Sequence, residues 1–370
     1  MRIRDLIFGA PLDNPDGPVL NLMLGRKRGG LEQAAIDYAE ALALAHIPAL
    51  TVTSPGAHIT PGLQRLNAPH IALPNAGGWD PCAAQRLRRI AGKQQARAVI
   101  CHGNRAFRLA RRALGGRIPI IAVAHNYRTK RFPHADAILC ITTHARDTFL
   151  QAGFARKKLF LMPNMVRIPS PPSIPPAGGG ERGGERQPGN PPVIGTLGRL
   201  IARKGFHDWI EALALLRDRG LDFRAVLGGE GEERDALAQR VSERGLEDRF
   251  EFLGWVKNDA NFYGSIDLFV MPSRHEPFGI VLIESMAYGV PVVTTLVEGP
   301  RDIVTDGKDA LTVPAQDPAA MADAMARLLT DPALAAKLAR SARARAAKEY
   351  SPEAMAGRLK EALEKIAASA

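Results

Sequence analysis

Between Pro169 and Pro192 the chain runs through 24 residues of which eight are proline and six glycine. Proline lacks an amide donor and glycine has no side chain to bury, so this stretch cannot build a core and reads as a linker. On either side of it, short runs rich in Val, Ile and Leu alternate with amphipathic segments of about 10–18 residues, the pattern of βα units around a parallel sheet. Two Rossmann-like α/β domains in tandem are therefore expected. The boundaries that follow are 1–168 for the first domain, 169–192 for the linker and 193–351 for the second, with a helix over about 352–370 returning to the first.

In the first half the strand candidates are Pro18–Leu24, Ile47–Thr53, Ala98–Cys101, Ile118–Ala124, Ala137–Ile141 and Leu159–Met162; in the second they are Val193–Leu197, Phe223–Leu227, Leu268–Met271, Val290–Thr294 and Leu311–Val313. Helices fit between them at Leu31–Ala45, Phe206–Arg219, Glu233–Glu243, Ile280–Tyr288 and Pro318–Leu329.

Composition narrows the function. Of 370 residues 46% are hydrophobic and 24% charged, which excludes disorder as the general state. No window reaches the ~18–20 apolar residues of a membrane helix, and the apolar core of the N-terminus is too short for a secretory signal, so a soluble, cytoplasmic chain is expected. Cys82, Cys101 and Cys140 are odd in number and far from any metal-binding spacing; reduced core thiols are expected. Residues 1–168 carry 24 Lys and Arg against 9 Asp and Glu, net +15, whereas the remainder carries 25 against 29, net −4. The basic half suits an anionic partner, such as phosphate, an acidic glycan or a membrane surface. Nucleic acid is not expected, because no aromatics are interleaved with the basic runs to stack bases.

In open parallel sheets ligands bind beyond the carboxyl ends of the strands, where helix N-termini supply unpaired amides. The segment after Leu268–Met271, PSRHEPFGIVLIESMAYGVPVVTT, has that placement. Glu284 lies inside a nearly all-apolar helix and needs hydrogen-bond donors, such as a ribose diol or a basic residue elsewhere in the chain. Glu276 precedes the helix by a turn, where it either caps the helix or accepts ligand hydroxyls. Pro277 and Gly279 shape that turn so that the amides of Phe278, Gly279 and Ile280 can hold negative oxygens. In GTLGRLIARKG, Arg199 and Lys204 stand five residues apart after a strand, where two cations can grip a diphosphate or remain solvated.

EPFGIVLIE resembles the E-x7-E signature of retaining glycosyltransferases of the GT-B fold, specifically family 4, and the likeness runs along the whole chain. It implies an α/β fold of two Rossmann-like domains facing across a deep cleft, the first binding the acceptor and the second a nucleotide-sugar. It further implies that Glu276 contacts hydroxyls of the donor sugar, that Glu284 holds the ribose, and that the amides of Phe278, Gly279, Ile280 and Val281 bind sugar and diphosphate. GRLIARKG is similar to the family's G-R-L-x-x-x-K-G element, which makes Arg199 and Lys204 neutralise the leaving diphosphate. LGGEGEERDAL is a weaker match around Glu230, with Glu232 where proline is usual. FLGWV resembles a base-binding stretch, with main-chain groups near Trp255 and Val256 reading the nucleobase. In the first half, LGRKRGGLE resembles a G-G-x-E loop: Gly29 and Gly30 for the donor, and Arg26, Arg28 and Glu32 for the acceptor. His125 in AVAHNY matches a histidine beside the donor sugar, whose alternative is a satisfied structural residue. Thr142, Thr143 and Asn164 fall in elements that resemble interdomain ones, and Met165 stands where glycine is usual.

What the resemblance implies chemically is transfer with retained anomeric configuration by same-face attack, with positive side chains in place of a metal; no metal and no cofactor are expected. A UDP-sugar is favoured over GDP- or ADP-sugars on family frequency. The acceptor is expected to be a glycan or anionic glycolipid of lipopolysaccharide or polysaccharide assembly, met at the inner membrane face by a peripheral protein. A GT-B epimerase or phosphorylase is the alternative. A scaffold with a relic pocket would not need so complete a residue set, and a nicotinamide dehydrogenase would need a G-x-G-x-x-G turn that LGRKRGG lacks.

Overall fold

The computed structural model describes residues 16–26, 29–169, 191–257 and 259–368. Lys27, Arg28 and nearly all of the proline-glycine linker fall outside them. The chain divides into two compact units, one made of the chain up to Asn164 together with the segment from Pro352 onward, the other of Met165–Ser351.

The first unit holds β1 (Val19–Met23), β2 (Ala49–Thr53), β3 (His70–Ala72), β4 (Ala98–His102), β5 (Ile120–Ala124), β6 (Ala137–Cys140) and β7 (Leu159–Leu161). They form one parallel sheet in the order β3-β2-β1-β4-β5-β6-β7. Every residue of β1, β4 and β5 is buried, which is why these strands, Asn21 and His102 aside, read as apolar runs rather than alternating ones. One core cluster joins Leu20, Leu22, Val99, Ile120 and Ala122 to Leu87, Phe107 and Phe149 from three helices. The helix Pro81–Gln94 starts where it does because Asp80 accepts the Ala83 amide at 2.9 Å and Pro81 takes the first helical position. The terminal helix Pro352–Ala367 packs against the helix Gly30–Leu44.

The second unit holds β8 (Val193–Leu197), β9 (Arg224–Gly228), β10 (Phe250–Gly254), β11 (Leu268–Met271), β12 (Val292–Thr295) and β13 (Leu311–Val313), parallel and in the order β10-β9-β8-β11-β12-β13. Its core gathers Ile194, Trp209, Leu213, Val270, Val293 and Met325.

Two strands had no counterpart among the sequence candidates. Both β3 and β10 are outermost in their sheets and partly exposed along their length, so neither carries an uninterrupted apolar run. Of the cysteines, Cys101 and Cys140 are core thiols, whose burial raises their pKa, that of Cys140 to about 12. Cys82 departs from the expectation: it lies exposed in the first turn of the helix Pro81–Gln94.

Candidate functional site

In the second unit the predicted residues collect at the carboxyl edge of the sheet, on loops docked onto one another by backbone contacts. The amides of Arg274 and His275 both donate to the Arg203 carbonyl, at 2.9 and 3.2 Å. Gly205, with φ 70°, lies so close to this second loop that a Cβ there would sit 1.9 Å from the Pro272 carbonyl oxygen. The approach is open to glycine only. It brings Lys204 onto Glu276: the two side chains form an ion pair, 16% and 10% exposed. Arg199, two residues after β8 ends at Leu197, is itself exposed.

Glu276 does not cap the helix that follows. The N-cap position of Ile280–Ala287 belongs to Gly279, with φ 107°, and no side chain accepts from the first turn. The backbone thus turns sharply enough to direct the leading amides of the helix to the carboxyl edge, where an anion can accept from them. Phe278 and Gly279 are buried, Ile280 and Val281 partly so. Glu284 sits one turn further along, and its Oε2 lies 2.9 Å from the Tyr263 hydroxyl, which also lies 3.1 Å from the Val281 carbonyl. The Tyr263 ring in turn stacks on Tyr288 with 5.0 Å between centroids.

The remaining predicted residues of this unit frame the same edge. The Glu230 side chain is exposed, but its carbonyl accepts the Leu200 amide at 2.9 Å, and so ties the loop after β9 to the one carrying Arg199. Trp255 is 51% exposed, just beyond the end of β10. Val256 packs over Gly228, where a Cβ would meet it at 2.6 Å.

Other side chains hold the loop without having been singled out from the sequence. Arg274 grips the buried Asp208 bidentately, at 2.8 and 2.7 Å, and this hydrogen-bonded partner raises the arginine pKa. His275 Nδ1 lies 2.8 Å from Glu298 Oε1. Glu298 is held below the usual carboxylate range; its burial opposes that shift, and hydrogen bonds, including the one from His275, produce it. The Gly299 amide donates to the Glu276 carbonyl at 2.9 Å, which fixes the backbone of Glu276 from the far side.

In the first unit the predicted residues other than Arg28, which lies outside the described residues, are also at the carboxyl edge of the sheet. Arg26 is exposed, Gly29 precedes the helix Gly30–Leu44, and Glu32 lies in its first turn. The Glu32 carboxylate folds back over the loop, so close that a Cβ on Gly25 would sit 2.3 Å from its Oε1. His125 follows β5 and is half-buried; burial pushes its pKa down to about 4. The hydroxyl of Thr142 accepts the Ala145 amide at 3.1 Å and caps the next helix. Arg105, absent from the sequence candidates, reaches the Leu24 carbonyl at 3.4 Å.

Residues 181–345 match the family described as Glycosyl transferases group 1, and residues 28–168 match Glycosyltransferase Family 4. Over 228 residues the chain is 33% identical to the lipopolysaccharide core biosynthesis glycosyltransferase LpsE of Rhizobium meliloti (strain 1021), covering 62% of this chain and 64% of that protein. It thus spans slightly less than two thirds of that relative. The crystal structure of Anabaena HepE in complex with UDP-glucose superposes with a TM-score of 0.77 at 22% identity, over 94% of this chain and 99% of that one. A glycosyltransferase from Rickettsia africae ESF-5 gives 0.81 at 17% identity, over 96% and 100%.

Proposed function

The chain belongs to the group 1 glycosyltransferases and has the GT-B fold, and on that footing we propose that it moves a sugar from a nucleotide-sugar, a UDP-sugar by preference, onto a glycan or glycolipid acceptor. The observation that carries this reading is the docking of the Arg199–Gly205 loop onto the Arg274–Gly279 loop, which sets a lysine, a carboxylate and an uncapped helix start side by side. Cations and helix amides suit a diphosphate; carboxylates suit sugar and ribose hydroxyls. Glu284, beside Tyr263, is assigned to the ribose, Glu276 and His125 to hydroxyls of the donor sugar, and Trp255 and Val256 to the base.

The chemistry we assign is a same-face displacement that retains the anomeric configuration. The bond from the anomeric carbon to the phosphate oxygen breaks, the acceptor oxygen bonds to that carbon, and the acceptor proton passes to the departing phosphate. Charge grows on the diphosphate as the bond lengthens, so Arg199, Lys204 and the leading amides of Ile280–Ala287 supply the stabilisation, with no metal ion. Lys204, paired with Glu276 in the unliganded protein, would exchange part of that contact for phosphate oxygens.

The acceptor is assigned to the first unit, at Arg26, Arg28 and Glu32, with Gly29 and Gly30 turned to the donor. LpsE, as a lipopolysaccharide core enzyme by name, supports an acceptor of that class, and HepE with its bound UDP-glucose supports the donor. Membrane docking has its own support. Residues 81–135 contain thirteen Lys and Arg and no Asp or Glu. The helices Pro81–Gln94 and Gly103–Leu114, packed on each other, expose Arg86, Arg89, Lys93, Arg105, Arg108 and Arg112. Trp79 stands 67% exposed beside them. Among the described residues no helix is long and apolar enough to cross a membrane; a basic face near an anionic surface gains about 1 kcal/mol per residue.

The test is turnover. Incubated with UDP-, GDP- and ADP-sugars, the protein should release nucleoside diphosphate from a UDP-sugar when an acceptor glycolipid is present, with and without EDTA. Release as fast without acceptor, an epimerised donor, or loss of turnover in EDTA would each overturn the corresponding part of the proposal.

A further inference from the structure

His102, the last residue of β4, is 2% exposed and has no part in the reaction as assigned above. Its Nε2 lies 2.8 Å from Asn21 Oδ1. The Asn21 amide nitrogen donates to the Ala35 carbonyl at 2.8 Å and to the Thr51 hydroxyl at 3.2 Å, which uses both its hydrogens and fixes Oδ1 as the atom turned to the imidazole. An amide oxygen can only accept, so His102 carries its hydrogen on Nε2. Burial holds the ring neutral, with its pKa well below the ordinary histidine value. A neutral imidazole with hydrogen on Nε2 has a bare Nδ1, which can only accept.

That Nδ1 is buried and no protein group donates to it. Two adjacent polar atoms, Tyr38 Oη and His125 Nε2, are likewise buried and without a hydrogen-bond partner in the protein. The Tyr38 ring meets His102 edge-on with centroids 4.9 Å apart, and the His125 ring lies 5.8 Å from it, tilted by 34°. No direct hydrogen bond joins these three atoms, so the link between them runs through a water. A water that donates one hydrogen to His102 Nδ1 and the other to Tyr38 Oη turns its lone pairs to His125, and Nε2 of His125 is then best served by bearing the hydrogen.

We propose that His102 is a positioning residue for His125: it holds that ring as the Nε2–H tautomer and so leaves Nδ1 of His125 as the acceptor for a ligand hydroxyl. The identity of that hydroxyl, a sugar's, rests on the glycosyltransferase reading above. The tautomer does not.

The experiment uses the full chain with 15N-labelled histidine and long-range proton–nitrogen spectra, with the His125 signals identified by their loss in His125→Gln. Expected is a neutral Nε2–H tautomer for both His102 and His125 from pH 6 to pH 8. In His102→Leu the His125 signals should become those of a tautomer mixture, and kcat on a UDP-sugar should fall roughly tenfold with little change in KM, the scale of a misplaced contact. His102→Asn, whose Oδ1 can stand in for Nδ1 as an acceptor, should restore the tautomer and most of the rate. A wild-type His125 that is charged or hydrogenated on Nδ1 overturns the proposal, as does an unchanged tautomer in a folded His102→Leu protein. Should the leucine variant fail to fold, the wild-type and asparagine spectra decide alone. If no nucleotide-sugar is turned over, the spectra still decide the positioning while the glycosyltransferase reading falls separately.

Discussion

Lys204 and Glu276, 72 residues apart in the chain, form a mostly buried ion pair at the carboxyl edge of the second sheet. Taking one charge away from such a pair leaves the other without compensation in a poorly solvated place, which costs more than the pair itself contributes. Lys204→Met should therefore destabilise the second unit by roughly 3 kcal/mol, the low end of the range for broken buried pairs. Adding Glu276→Gln should recover most of that loss without restoring turnover. Denaturant unfolding of the single and double variants checks this; an unchanged midpoint in Lys204→Met would show the pair to be solvated.

Arg199 offers the complementary case, since it is exposed. Arg199→Ala should change stability by no more than about 0.5 kcal/mol, as surface substitutions do, yet lower kcat roughly 10²-fold, the scale of losing one electrostatic stabiliser. Steady-state kinetics beside thermal unfolding separates the two effects, and a rate near wild type would remove Arg199 from the diphosphate site.

Legibility from sequence followed burial. Strands β1, β4 and β5 are covered on both faces, so apart from Asn21 and His102 their residues are apolar and stand out in the sequence. The half-exposed edge strands β3 and β10 leave no such mark. At the site, the residues within one motif were readable because their spacing is local: Glu276, Gly279 and Glu284 share one loop and helix. The side chains that hold them were not. Arg274 meets Asp208 across 66 positions and Tyr263 meets Glu284 across 21, and nothing in either local sequence announces its partner. His102 closes an apolar run and would pass for a core residue; only the atoms around its ring give it a role.

Acid should weaken the fold through two histidines of the first unit, the buried His102 and the half-buried His125. Both have pKa values lowered by burial, His125 to about 4 and His102 well below its ordinary value. The unfolded chain binds protons at these sites near pH 6.5 while the folded chain does not, so stability is intact above that pH and is lost as pH falls toward 4. For His125 the loss should approach about 3 kcal/mol across that window. Unfolding free energies measured from pH 7 to pH 4 should show a shallower fall in His125→Gln than in wild type; parallel curves would contradict the burial of that ring.

The basic face of the helices Pro81–Gln94 and Gly103–Leu114 makes a prediction that salt controls. Flotation should carry the protein with vesicles containing anionic lipid at low salt, and with neither neutral vesicles nor anionic ones at high salt. Replacing Arg86, Arg89, Arg108 and Arg112 together by Gln should abolish flotation and spare turnover of a soluble acceptor. Equal binding to neutral vesicles would mean that the charge does not dock the protein.

Calorimetric titration with nucleoside diphosphates tests the site most directly, because it requires no acceptor. UDP should bind the wild-type protein without added metal, Glu284→Ala should weaken it about tenfold or more through loss of a charge-assisted hydrogen bond, and Glu276→Gln should leave it nearly unchanged. No binding of UDP, GDP or ADP at millimolar concentration, or UDP affinity lost in Glu276→Gln and kept in Glu284→Ala, would contradict the assignment of these carboxylates to a nucleotide-sugar.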